Sequence, residues 1–325
     1  MVCQDDKRKI PIGEPYNPVS DGHNRQAPQF LDGQHGALDH TISKMSITPS
    51  CNFFNTVPTS TAGSFYNGSA VITLKDSVWQ PSNPMRHTRE FLDELYERYD
   101  FENESESPKV LMKYHDGGSD HNDTNAWAQL ATIIEWISTG VDLLVSERCV
   151  PGQSYINPAE RVFASLNLAL QVASLERTVS EPEVEQLIKH AGSMNQIRTI
   201  ATRNPSSNLE RHLLNSTEAP RQMIGDLFKK CKYGEEMVEV GEAADTAKIN
   251  ELFKECMAVI DDTITMEDVK PLHKMATKFP KLKDFTDKHC NFSTYMFQVK
   301  KCGEPECPYC KPPKLSKDEF KAFIR

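Results

Sequence analysis

Between His289 and Cys310 this 325-residue chain reads "HCNFSTYMFQVKKCGEPECPYC", a histidine and four cysteines in one short run. The spacing Cys302-x4-Cys307-x2-Cys310 sets three thiols on a tight loop, and thiolates in such a loop suit the tetrahedral shell that zinc prefers. Cys290 is the expected fourth ligand, with His289 as its substitute. A zinc ion there would staple a tail too short to fold alone. The bland alternative is four reduced surface cysteines. Lys300, Lys301, Lys311, Lys314 and Lys317 flank the cluster, so the tail is also the best local candidate for a DNA or protein contact.

A second set of residues suits a harder metal. Asp5 and Asp6 follow the first expected strand, Asp116 follows "KVLMKYH", and Glu160 stands in the first turn of the helix that opens at "NPAER". Separated carboxylates that converge on one sheet edge would hold two Mg²⁺ or Mn²⁺ ions, the arrangement used for in-line attack at phosphorus. Each has an ordinary reading as well. Glu160 completes a capping box with Asn157; Asp116 with Gly117 and Gly118 makes a polar turn; Asp5 and Asp6 are near-terminal charges. Asp76 rivals them for the first carboxylate but fits the third strand better. His115 and His121 read as polar surface or supporting groups, and Asp120 and Asp123 as turn and helix-cap residues.

The elements that would position these groups follow from periodicity and breaks. "MVCQDD" and "KIPIGEP" read as strands, residues 16–63 mostly as loop, and "SAVITLKDSVW" as a strand with β-branched enrichment. A helix over 86–99 carries Phe91, Leu92, Leu95 and Tyr99 on one face. The "KVLMKY" strand, the "NAWAQLATIIEWIST" helix and the "VDLLVSERCV" strand come next. The last core helix starts at Pro158, with Asn157 as its cap. This alternation predicts an α/β sheet flanked by helices over 1–178. A helical region over 179–285 and a Cys-rich tail over 286–325 complete the expected organisation.

The formal net charge is −9 with a sequence pI near 5.6, which excludes binding of a polyanion through bulk positive charge and leaves only local basic patches. No apolar run reaches the ~20 residues of a membrane helix, and an odd count of nine cysteines suits a reducing compartment. The expectation is an intracellular protein, nuclear or cytoplasmic, with no membrane partner.

The order strand–Asp, further strands, helix, strand–Asp-Gly-Gly, helix, strand, then "PGQSYINPAERVFASLNLAL", resembles the RNase H-like catalytic core of DDE transposases. "DGGSDH" and "PGQSYINPAER" stand where mariner-like members carry Asp-Asn/Gly-x-x-x-His and Asn-Pro-x-Glu. The blocks "QDDKRKIPIGEP", "LKDSVWQPSNPMRHTRE" and "KCGEPECPYCKPP" are similar to transposon-derived proteins of invertebrates with a Cys-rich tail. The resemblance implies an RNase H-like mixed sheet. Its catalytic triad would be Asp5 or Asp6, Asp116 and Glu160, holding two Mg²⁺ or Mn²⁺ ions for DNA strand cleavage and transfer. It implies DNA as partner and allows a homodimer. Against that pattern, the chain starts almost on the first catalytic strand, so an N-terminal DNA-recognition domain is expected to be missing. The charge is acidic, and the helical region has no family counterpart. A truncated, inactive derivative fits the motifs equally, and the alternative is a host-adopted, non-catalytic zinc-containing DNA-binding or scaffold protein.

Overall fold

The structure, a computed structural model, describes every residue except 21–43, 61, 102, 104–106, 119, 123, 172 and 325. Among the described residues the chain runs β1 (Val2–Asp6), β2 (Ile10–Ile12), β3 (Met45–Asn55), β4 (Gly68–Asp76), α1 (Pro84–Arg98), β5 (Val110–His115), α2 (Ala126–Thr139), β6 (Leu143–Arg148) and α3 (Pro158–Leu170). It continues through α4 (Pro182–Ile188), α5 (Met194–Arg203), α6 (Leu209–Phe228), β7 (Lys232–Tyr233), β8 (Glu236–Met237), β9 (Glu239–Glu242), α7 (Thr246–Ile260), α8 (Leu272–Lys278), α9 (Pro280–His289), β10 (Cys290–Phe292), β11 (Met296–Lys300) and α10 (Lys317–Ile324). No helix among them is long and apolar enough to cross a membrane.

Two compact units form, each from separate stretches: Met1–Gln4, Asn83–Asn157 and Ala244–Arg325 in the first, Asp5–Ser82 and Pro158–Ala243 in the second. The stretch 179–285 therefore contributes to both. Each unit is α/β, a sheet flanked by helices.

In the first unit β1, β5 and β6 are parallel neighbours, with Gln4 opposite His115 and Val110 opposite Leu143. Parallel strands need a crossover, and α2 supplies the one between β5 and β6. Asn125 caps α2 by accepting the Trp127 N–H, and Gly140 ends it in the left-handed region at φ 62°; the expected cap Asp123 lies outside the described residues. Asn83 caps α1 through the Arg86 N–H, with Pro84 at the first helical position. Phe91, Leu92 and Leu95 of α1 and Ile133, Ile134 and Trp136 of α2 are buried, and α7 packs against both helices. On the far side of β6 the chain's last strands add on antiparallel, β11 on β6 and then β10 on β11.

The second unit holds the antiparallel run β2–β3–β4, with β9 added parallel to β4. Within 16–63, expected mostly as loop, the part of that expectation over 21–43 lies outside the described residues, while 45–55 form the eleven-residue strand β3. Its alternation is present in the sequence, with Met45, Ile47, Cys51 and Phe53 on one face and Ser46, Thr48, Ser50 and Asn52 on the other. Pro49 and the small polar residues hid it; even the polar face is buried, and Thr48 Oγ1 lies 2.8 Å from Ser77 Oγ. The acidic run at 233–245 supplies the exposed β8 and the edge strand β9, where Val240 lies opposite Ile72. α3 and α6 contact each other, α3 also packs on β3, and α6 on β4 and β9.

Candidate metal centre

The tail site is built by a helix end, a hairpin and a loop, all in the first unit. α9 ends at His289, the chain enters the β10–β11 hairpin, and β11 delivers the loop that starts at Lys301. Gly303 adopts φ 79°, a conformation that costs glycine little. It folds the chain back directly after Cys302. The ligand atoms of His289, Cys302, Cys307 and Cys310 all lie within 4.8 Å of one another.

The spacing matches one tetrahedral ion. Zn–S bonds near 2.3 Å and Zn–N bonds near 2.1 Å put two sulfurs about 3.8 Å apart and sulfur and nitrogen about 3.6 Å apart. Cys302 Sγ lies 3.8 Å from Cys310 Sγ, and Cys307 Sγ lies 3.4 Å from His289 Nε2. His289 Nδ1 is 2.8 Å from the Lys300 carbonyl oxygen, so it donates there and presents Nε2 to the metal position, the usual outer contact of a ligating histidine. The ring is buried beside Trp136, Phe285 and Tyr309, and that desolvation lowers its pKa, favouring the neutral form that binds metal. Burial opposes ionisation of Cys307, but the Tyr309 N–H, the Cys302 thiol and Cys310 bring it below the usual thiol range. Burial raises Cys310 to about 12 without a metal, and a bound cation would reverse that preference. The Glu304 N–H donates to Cys302 Sγ at 3.5 Å.

His289, the substitute in the sequence reading, therefore takes the place given to Cys290. Cys290 is drawn into the β10 ladder opposite Val299. Desolvation with no compensating charge pushes its thiol well above the usual range, so it stays protonated. All nine cysteines are free of disulfides.

Asp142, at the head of β6, was not singled out by sequence reasoning. Its side chain is fully buried, pairs with Lys301 Nζ at 2.9 Å and accepts the Leu315 N–H at 2.6 Å. It therefore grips the chain on both sides of the cysteine loop. The signal available was an aspartate between apolar residues in "GVDLLV"; a buried charge of that kind is ordinarily paired.

The carboxylates fall in both units. Asp116 belongs to the first: it directly follows β5, is half-buried, and accepts the Gly118 N–H at 2.9 Å through Oδ1. Gly117 beside it has φ 79°, so the turn geometry expected of Asp-Gly-Gly is present. Asp5, Asp6 and Glu160 belong to the second unit. Asp5 is buried, Asp6 is half-buried with Oδ1 4.0 Å from the fully buried Lys75 Nζ, and Glu160 is half-buried in the first turn of α3. Asn157 is buried and its side-chain amide donates to the Gln4 carbonyl at 2.9 Å. Asp76 is structural: it accepts the Val78 and Trp79 N–H groups and the Thr217 hydroxyl, and burial raises its pKa. His115 is not at the surface but 1 % exposed, bonded to Ser146 Oγ at 3.0 Å.

Compared with protein-family models, curated proteins and solved structures, the chain matches none.

Proposed function

We propose that this chain is a transposase-derived protein with an RNase H-like core that acts on DNA phosphodiesters, its tail held by a structural zinc ion. The observation that supports the core reading is the parallel β1–β5 ladder. Gln4 pairs with His115, and β5 runs directly from His115 into Asp116 at its carboxyl end. Carboxyl ends of neighbouring parallel strands are where α/β sheets bind ligands. The element order also agrees, with three strands before α1 in addition to the short β2, then β5, α2, β6 and α3.

Asp5 or Asp6, Asp116 and Glu160 would hold the two Mg²⁺ or Mn²⁺ ions. The donor set fits, since carboxylate oxygen is the ligand hard cations take, and Asp116 keeps acceptor capacity beyond its bond to Gly118. Bound there, the metals would supply Lewis-acid stabilisation of the attacking and leaving oxygens. The chain's own part is to fix the carboxylates at strand and helix ends. DNA is the partner in this reading, and a nuclear or cytoplasmic location goes with it.

The Asp116 turn favours a second reading, a zinc-stapled scaffold without catalysis. Incubating the protein with end-labelled DNA and Mn²⁺ separates the two. Cleavage that Asp116→Asn abolishes supports the enzyme; no cleavage by the unaltered protein, or equal cleavage by the variant, removes Asp116 from catalysis and leaves the scaffold.

A further inference from the structure

The histidines used by neither metal reading converge inside the first unit. His87 near the start of α1, His115 at the end of β5, and Asp120 with His121 in the following turn line one small polar cavity of about 20 Å³. A cavity of that size accepts one atom-sized guest, because a water needs roughly 10–15 Å³ by the same measure. His87 and His115 are 6 % and 1 % exposed, so two of the three imidazoles are withdrawn from bulk solvent.

Their mutual geometry is that of a donor cluster rather than of scattered core polar groups. The His87 and His121 rings lie 4.4 Å apart between centroids at an interplanar angle of 40°, and His115 stacks on His121 at 5.5 Å and 27°. A ring nitrogen of His87 and one of His121 lie within 4.8 Å of each other, and His87 Nε2 is 4.0 Å from Asp120 Oδ2. Donors bound at about 2.1 Å to one ion stand roughly 3 to 4.2 Å apart, depending on tetrahedral or octahedral geometry. Small ring rotations would close the set. Ser146 Oγ holds His115 Nε2 at 3.0 Å, which fixes the orientation of the ring that backs His121. The other charges on the cavity wall, Lys113 and Glu135, pair with each other at 2.6 Å.

We propose that His87, His121 and Asp120, backed by His115, form a second metal site, specific for a borderline divalent ion of the zinc or cobalt(II) class. Imidazole nitrogen selects such ions over Mg²⁺, so the site differs in kind from the carboxylate positions. It also differs from the tail site in having no sulfur donor.

That difference provides the test. The full-length protein is titrated with Co²⁺ in excess Mg²⁺, and bound cobalt is counted by elemental analysis alongside absorption spectra. The unaltered chain is expected to take one equivalent with thiolate-to-cobalt charge-transfer bands and a second that adds visible ligand-field bands only. Cys307→Ser should remove the first alone; His121→Gln and His87→Gln should remove the second alone. His121 is only half-buried, so if His87→Gln misfolds, His121→Gln with an unchanged circular dichroism spectrum decides. A total of one equivalent that disappears with Cys307→Ser, or a folded His121→Gln protein that retains the second, overturns the proposal.

Discussion

In the first unit the last stretch of chain is fastened by one imidazole and three thiols whose spacing suits a tetrahedral ion. In the second, Arg177 clamps two distant segments with no metal. Its guanidinium, 1 % exposed, donates to Glu14 Oε2 at 2.7 and 3.1 Å and to both carboxylate oxygens of Glu185 at 2.6 Å. The Arg177 N–H also bonds the Gly13 carbonyl at 3.0 Å. Both devices tie remote chain to a sheet, but the proposed tail site would depend on a dissociable ion and the clamp on a cation that is permanently charged. The first should therefore respond to chelators and thiol reagents, and the second only to loss of a partner or to acid.

The largest expected effect is on the metal side. Structural zinc contributes apparent binding free energies of about 10–16 kcal/mol in small domains. Chelation, or Cys307→Ser, should release the loop over 302–310 completely, read as loss of amide-exchange protection there. Release should stop at its borders. β11 stays paired with β6, and Asp142 keeps Lys301 and Leu315. Adding Asp142→Asn to the chelated protein should extend the exchange into β10 and β11. If protection over 302–310 survives chelation, the tail is held by packing alone and the contrast between the units disappears.

Next comes the clamp. Arg177→Ala removes the guanidinium from Glu14 and Glu185 while Lys44 stays 3.7 Å from Glu14; both carboxylates are part-exposed, so the cost should be about 2–3 kcal/mol, below the range for breaking a fully buried pair. Urea unfolding followed by exchange of second-unit amides checks this. Arg177→Lys should recover only part of it, since an ammonium cannot reproduce the forked contacts to two carboxylates. Chelator should leave the measured change as it is.

The two devices also differ in how far they could be read from the sequence. Cys302, Cys307 and Cys310 are close along the chain, so spacing alone disclosed a ligand set, and only the last ligand was misassigned. That choice turned on whether residue 289 or 290 enters the ladder, which a count of spacings does not carry. The Arg177 clamp joins residues 163 positions apart, and nothing local in "LERTVSEPEVE" marks it. β3 lay between: its alternation was present but masked by Pro49 and by a buried polar face. The helices and parallel strands of 84–170 were legible because their apolar periodicity and breaks coincide. Asp5, Asp116 and Glu160 were legible only as residue types at element ends.

Acid should sharpen the comparison with a smaller effect. Hydrogen bonding to Arg177, against some desolvation, lowers the Glu185 pKa from its ordinary value of 4.5. A depressed carboxylate contributes stability that is present above its unfolded-state pKa and is lost as pH falls through the folded one. Second-unit stability should therefore decline as pH is taken below about 4.5, and Glu185→Gln should flatten that decline while lowering stability at neutral pH. Identical pH profiles for the two proteins would place the acid response elsewhere.

The smallest effects provide a matched control. Asn83 accepts the Arg86 N–H at 3.0 Å to start α1 in the first unit, and Ser193 accepts the Gln196 N–H at 3.3 Å to start α5 in the second. Replacing either by alanine removes one side-chain cap and should cost about 1 kcal/mol, less for the longer and more exposed bond at Ser193. Neither cap touches the tail ligands or the clamp, so each cost should be the same with and without Cys307→Ser and on both sides of pH 4.5. A cap variant whose cost changes in the Cys307→Ser background would mean that loss of the tail ion unfolds far more of the first unit than the cysteine loop. The tail ion would then act as a part of that unit's core stability rather than as a local staple.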